Sequence, residues 1–164
     1  MHRSFELDDI EIFTAGAIGP KGKRVFYLQA RTLDGTLSFR LEKQQVLALA
    51  EYLEAMLVDL PETVAEAAGE LDLDEPVDAE WIIGSLGVAY FETDDRILVW
   101  AEELVEGEEP EVTEEAATVR FRLRREQVTP FVRRAREVVE AGRAPCPYCG
   151  RPLNDDGSFC PCYN

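Results

Sequence analysis

Four cysteines, Cys146, Cys149, Cys160 and Cys162, fall within the last nineteen of 164 residues, and the 145 residues before them contain none. Thiols crowded this closely are chelators of thiophilic metals such as zinc. Cys146 and Cys149 form a C-x-x-C followed by Gly150, a turn whose backbone N–H groups can point at the sulfurs and offset thiolate charge. Cys160 and Cys162 come after ten intervening residues, and the Asp156-Gly157 turn lets that stretch double back. The four thiolates make one tetrahedral site for Zn²⁺ with no open position for water, so the expected role is structural. Such a tail orders only when metal binds, because it is too short to bury much core. Two other uses of the thiols stand beside this one: a redox-active Cys146/Cys149 pair and uncommitted thiols. A redox motif should open a helix after a strand, whereas this one follows a helical pattern and leads into a segment rich in Pro and Gly.

Other candidate chemistry is sparse, and no catalytic residue is assigned. The single histidine, His2, is terminal, so no Ser/His or Cys/His pair is expected within the fold. Acid pairs such as Asp94/Asp95, Glu102/Glu103 and Asp155/Asp156 are adjacent in sequence, and adjacency on a strand points side chains to opposite faces. The Gly19 to Arg24 loop has glycines and cations but not the spacing of a phosphate loop. Trp81, Trp100 and Tyr90 read as core or sheet-face residues. Charge, in contrast, is strongly segregated. Residues 42–119 carry 23 acidic and 2 basic side chains, while residues 120–151 carry 9 basic and 3 acidic. Arg120, Arg122 and Arg124 alternate along a strand, and Arg133, Arg134 and Arg136 lie off the apolar stripe of a helix. They are a candidate anion or partner surface, set against the simpler reading that they neutralise the acidic middle of the same molecule.

The elements that must position these residues come in two runs. From Ile10 to Leu41 the pattern is of antiparallel strands, with Asp34-Gly35 as a hairpin turn. Val46, Leu49, Ala50, Leu53, Leu57 and Leu60 then make a helical stripe that ends before Pro61. Residues 62–80 read as an acidic connector. Strands return in WIIGSLGVAYFE, RILVWAEEL and TVRFRL, followed by a stripe at Val128, Phe131, Val132, Ala135, Val138 and Val139 with Pro130 in the first turn. Each half therefore reads βββα.

Phe39-Arg40-Leu41 with Gln45-Val46 recurs as Phe121-Arg122-Leu123 with Gln127-Val128, at a constant offset of 82, and Gly16/Gly19 echo Gly84/Gly87. The expectation is an α+β fold: internally duplicated βββα units, residues 10–60 and 81–141, in one pseudo-twofold domain spanning 1–142. Two helices would pack on a six-stranded antiparallel sheet or partly closed barrel, followed by a zinc-ribbon-like tail, 143–164. The four glycines either admit a ligand between the repeats or mark bulges and barrel corners.

The run CPYCGRPLNDDGSFCP, the FYLQAR strand, the LEKQQV helix start and the connector at Asp74 to Val77 resemble an uncharacterised domain family common in actinobacteria. The resemblance covers nearly the whole chain and brings no activity with it. It implies a cysteine-rich, zinc-ribbon-like tail and gene neighbourhoods with a mycothiol-synthesis ligase and a phosphomutase-like phosphatase. The family tail commonly has histidine at the position of Ser158 and arginine at that of Cys162, so this chain exchanges one potential ligand for another.

The N-terminus lacks the apolar stretch of a signal peptide, and no run approaches a membrane span, so the expected location is cytoplasmic with no membrane partner. A net charge of −16 disfavours nucleic acid. The leading expectation is a non-catalytic, zinc-binding adaptor with a protein partner. The alternatives are a nucleic-acid-associated module using the arginine segment, and an enzyme acting on a phosphorylated or thiol metabolite between the repeats.

Overall fold

The computed structural model describes residues 2–20, 22–61, 70–105 and 116–141. Their elements are β1 (Phe5–Leu7), β2 (Ile12–Ile18), β3 (Val25–Thr32), β4 (Gly35–Leu41), α1 (Lys43–Val58), β5 (Ala79–Phe91), β6 (Arg96–Glu103), β7 (Thr118–Arg124) and α2 (Arg125–Glu140). The strands form one seven-stranded sheet in the order β1-β7-β6-β5-β4-β3-β2. Two antiparallel meanders, β2-β3-β4 and β5-β6-β7, are joined by a parallel β4/β5 pair, and β1 runs parallel to β7.

The antiparallel sheet or partly closed barrel expected from sequence is thereby corrected to a mixed, open sheet. A chain that leaves β4, makes a helix and re-enters the sheet beside β4 returns in the same direction, so the helical crossover imposes parallel pairing. The seventh strand, β1, lies before the start assigned to the first repeat. Its three residues offer only Phe5 and Leu7 to the core, too short an alternation to read as a strand.

Alternate residues of the strands point to one side and are buried there, among them Phe13, Leu28, Phe39, Val99 and Phe121. The sheet curls around them. Phe13 of β2 and Phe121 of β7 stand far apart in strand order, yet their ring centroids are 5.0 Å apart. Phe39 lies at the centre, with centroids 4.7 Å from Trp81, 5.7 Å from Phe121 and 6.0 Å from Phe5. Phe131 brings α2 against Phe13 at 4.5 Å. Ring pairs at these separations contribute about 0.5–1.5 kcal/mol each beyond their burial.

Both helices carry the stripes that their periodicity predicts, with Val46, Leu49, Ala50 and Leu53 buried on α1, and Val128, Phe131, Val132, Ala135, Val138 and Val139 on α2. Their N-termini share a device. Gln45 accepts a hydrogen bond from the Glu42 N–H at 2.7 Å and donates to the Gly84 carbonyl at 3.1 Å. Gln127 accepts from the Arg124 N–H at 3.0 Å and donates to the Ile10 carbonyl at 2.9 Å. Each glutamine thus closes its helix N-terminus and ties it to backbone of the sheet layer, Gln45 to β5 and Gln127 to the segment that leads into β2.

Two local expectations change. Because α2 begins at Arg125, Pro130 falls beyond the first turn, inside the helix. The Asp34-Gly35 hairpin forms, but Thr32 pairs with Gly35, and of these two residues only Gly35 has positive φ (133°). The two-residue loop is therefore Leu33-Asp34, one position earlier than a turn centred on Asp-Gly.

Candidate functional site

The sheet's outer face, opposite the core, is where the two halves differ. Register aligns Thr14–Gln29–Ser38 across β2, β3 and β4, and Gly87–Trp100–Arg120 across β5, β6 and β7. The next rows are Gly16–Tyr27–Arg40 and Ala89–Leu98–Arg122.

On the first half this face is covered by residues 70–74 of the connector. Thr14 Oγ1 donates to the Leu71 carbonyl, Gln29 accepts from the Asp74 N–H at 2.8 Å, and Gln29 Nε2 donates to the Asp74 carbonyl at 3.2 Å. Arg31 donates to the carbonyls of Glu70 and Asp72, and Thr36 donates to the Asp74 carboxylate at 3.2 Å. Leu73 sits directly over Gly16, where a Cβ would lie 2.4 Å from Leu73 Cγ. Thr14 and Gln29 are consequently fully buried, with their hydrogen bonds made inside the protein.

On the second half no described residue takes the place of that cover. Trp100 lies across Gly87, where a Cβ would be 2.2 Å from Trp100 Cε2, and it remains 36% exposed. Phe91 is exposed on the same face, and a shallow concavity there is lined by Glu6, Asp8, Phe91, Leu98, Arg120 and Arg122. Arg122 pairs with Asp94 at 2.5 Å and reaches Asp8 at 3.9 Å. Arg120 makes no ion pair with a described residue. Exposed aromatic and arginine side chains gathered on one patch have the composition of a protein-contact surface.

The six arginines singled out by sequence are not brought together. Arg120, Arg122 and Arg124 lie along β7, where Arg120 and Arg122 face outward, whereas Arg133, Arg134 and Arg136 lie on α2, whose Phe131 packs into the core. Arg134 pairs with Asp72 at 3.0 Å and Arg136 with Glu54 at 3.1 Å. Arg134 also donates to the Ala15 carbonyl of β2, so α2 and the connector are fastened to the same strand. Glu54, Arg133 and Arg136, with Leu57, Val58, Thr129 and Val132, line a groove of about 460 Å³ between the helices.

The four glycines are places where the protein approaches itself. Gly16 lies under Leu73, Gly87 under Trp100, and Gly84 against the backbone of Leu104. Gly84 also marks the register shift in β5, the bulge reading of its sequence context. Gly19 has φ 120° at the turn after β2. The Gly16/Gly84 and Gly19/Gly87 echo does not hold in space, because Gly16 aligns with Ala89 when β2 is matched to β5 by register. The space between the halves, where a ligand cleft was one expectation, is occupied by the Phe13, Phe39, Trp81, Phe121 and Phe131 rings.

One polar cluster escaped the sequence reading. Arg125 binds Asp95 through Nε at 2.6 Å and Nη2 at 3.3 Å, Tyr90 donates to Asp95 at 2.7 Å, and Arg125 also donates to the Pro61 carbonyl. The Tyr90 and Arg125 hydrogen bonds hold the Asp95 carboxyl below its ordinary value, and the Asp95 carboxylate pushes the Tyr90 hydroxyl up. Asp95 adopts positive φ (51°) in the β5–β6 turn, so the cluster joins that turn to the start of α2 and the exit of α1. The sequence signal was the Thr-Asp-Asp-Arg turn, but its partner lies thirty positions away. A second carboxylate, Glu103, is pushed up by burial yet held low on balance by hydrogen bonds from His2 and the Ala117 N–H.

Cys146, Cys149, Cys160 and Cys162 lie outside the described residues, as does the whole tail from residue 142. Among the described residues there is no group of three or more His, Cys, Asp or Glu side chains that could hold a metal ion. None of the described helices is long and apolar enough to cross a membrane. A family model described as a protein of unknown function (DUF3090) matches residues 5–160. Comparison with curated proteins and with solved structures found no match.

Proposed function

The chain belongs to the DUF3090 family, and we propose that within it this protein is a non-catalytic, zinc-binding interaction protein of the cytoplasm, whose metal-ordered tail presents a surface to a protein partner. The observation that carries this reading is the contrast between the two outer faces. One is sealed by the connector, and the other leaves Trp100, Phe91 and Arg120 available for contact. The internal pairing of Arg122, Arg125, Arg134 and Arg136 with Asp94, Asp95, Asp72 and Glu54 favours a protein partner over nucleic acid, since these four arginines are already engaged by carboxylates of the same chain.

The donor set of the tail suits zinc. Cys146, Cys149, Cys160 and Cys162 would supply four thiolates, which fill a tetrahedral shell. When bound, the metal supplies folding free energy to a segment too short to make a core. Thiols kept for this purpose stay reduced in the cytosol.

We also read the two βββα runs as copies of one unit. Gln45 and Gln127, 82 positions apart, make the same pair of bonds, and the Phe39/Phe121 pair lies at the same offset in the core.

Metal content of protein purified without added zinc, with thiol titration before and after a chelator, tests the site. One zinc per chain with all four thiols protected is expected. Metal-free protein with fast-reacting Cys146 and Cys149 would overturn it in favour of thiol chemistry. Affinity purification from the native cytosol should return a stoichiometric protein partner. Repeated failure to do so, together with turnover of a small metabolite, would overturn the adaptor reading.

A further inference from the structure

The outer surface of the helix pair is divided by charge. After Lys43 at its first position, α1 carries Glu51 and Glu54 and no cation, and Asp59 follows directly after the helix. All three acids are exposed. Opposite them, α2 sends Arg133 and Arg136 to the groove between the helices. The two helices run antiparallel: Arg125 at the start of α2 donates to the Pro61 carbonyl beyond the end of α1, while Arg136, near the end of α2, pairs with Glu54. One acidic helix and one arginine-bearing helix therefore flank the groove along its length.

The groove is apolar where Leu57 and Val132 line it, and Val58 stands at its edge, 79% exposed. Arg136 is held by Glu54 at 3.1 Å, whereas Arg133 is exposed and has no carboxylate partner among the described residues. Apolar surface with carboxylates on one side and a spare guanidinium on the other is complementary to itself. A twofold axis parallel to the helices lays α1 of each copy against α2 of the other and keeps their levels matched, so Glu54 meets Arg133 and Val58 enters the opposite groove. A twofold axis across the helices would instead lay α1 on α1 and set Glu51, Glu54 and Asp59 against their own copies, a costly juxtaposition of like charges.

We propose that the groove between α1 and α2 is the interface of a homodimer, in which each copy places Val58 in the groove of the other and sets Glu54 beside the second copy's Arg133. The four helices then form a double layer between two sheets. Both outer sheet faces stay free, so one dimer offers the Trp100 surface twice. At about 0.15 M salt the screening length is about 8 Å, which damps repulsion between the distant acidic parts of the two copies while leaving pairs buried in the contact much less affected. The dimer depends neither on zinc nor on the identity of a protein partner.

Sedimentation of the full-length chain at about 0.15 M salt, between about 1 and 100 μM, tests it, since a dimer of micromolar Kd forms in that range. Twice the chain mass is expected for the wild type. Val58→Arg and Arg133→Glu each alter an exposed side chain, and each should weaken the dimer about tenfold or more. Leu33→Arg, on the β3–β4 turn, should leave it intact. Glu54→Arg alone should also be monomeric, yet mixed with Arg133→Glu it should form a heterodimer, because both cross-contacts then pair opposite charges. A wild-type monomer at the highest concentration overturns the proposal, whether the groove is covered by the chain's own residues or taken by another protein. A dimer that Val58→Arg and Arg133→Glu leave unchanged overturns it by placing the contact elsewhere, and failure of the two charge variants to associate overturns the assigned pairing. Zinc content and partner capture are read separately, so the failure of either leaves the dimer standing, and the reverse.

Discussion

Gln127 shows most directly how one side chain turns a sequence repeat into structure. It is 7% exposed, and its amide serves both the Arg124 N–H and the Ile10 carbonyl. Gln127→Met keeps the volume but leaves both groups without their partner, so urea denaturation should show a loss of about 1–3 kcal/mol. Gln45→Met, at a half-buried site where water can substitute, should cost less. Gly84→Ala puts a Cβ 2.9 Å from the Leu104 backbone, which cannot swing aside as a side chain can. The expected loss is about 1–3 kcal/mol, read in the same titration. Asp95 sets a pH dependence. Its folded pKa is depressed, so its contribution is complete above the unfolded aspartate value and is lost as pH falls through the folded one. The stability gap between wild type and Asp95→Asn should therefore be constant from neutral pH to about pH 5 and narrow below about pH 4. A gap that persists into strong acid would show that the carboxylate charge is not what matters. These roles were legible in part. The recurrence of Phe-Arg-Leu and Gln-Val flagged Gln127, whereas the Asp95–Arg125 pair joins distant segments and has no local signature.

Among the elements, the connector is the one whose role depended on the fold. Its composition reads as an acidic linker, yet residues 70–74 bond Thr14, Gln29, Arg31 and Thr36 and bury a row of polar strand residues. Leu73→Asp introduces a carboxylate over Gly16 and should release this cover. Hydrogen exchange at the Asp74 amide should then rise severalfold while α2 is unaffected, and uniform protection in the variant would contradict the assigned role. The buried faces of the helices were legible, because an apolar stripe at helical spacing needs no partner to be recognised, whereas the end of α1 and the start of α2 were not. Strand β1 was not, since three residues pairing with β7 acquire their identity from that partner. Parallel pairing of β4 with β5 was hidden for the same reason, as it follows from where the chain re-enters the sheet.

At the scale of the whole molecule, a net charge of −16 is held together with only local compensation by arginine. Residues 42–119 repel one another in the compact state, and salt screens that repulsion over about 10 Å at 0.1 M. The melting temperature should accordingly rise with sodium chloride up to a few tenths molar. A fall would mean that the Arg–Asp and Arg–Glu pairs outweigh the excess of acid. By itself the sequence determined the α+β composition, the two helical faces, the two βββα runs and the crowding of thiols at one end, because these depend on residue type and short-range period. Only the tertiary structure decided the open, mixed, seven-stranded sheet, the cover on one outer face and the distribution of the arginines between β7 and α2. Those features arise from contacts between residues far apart in the chain, whose geometry no local pattern encodes.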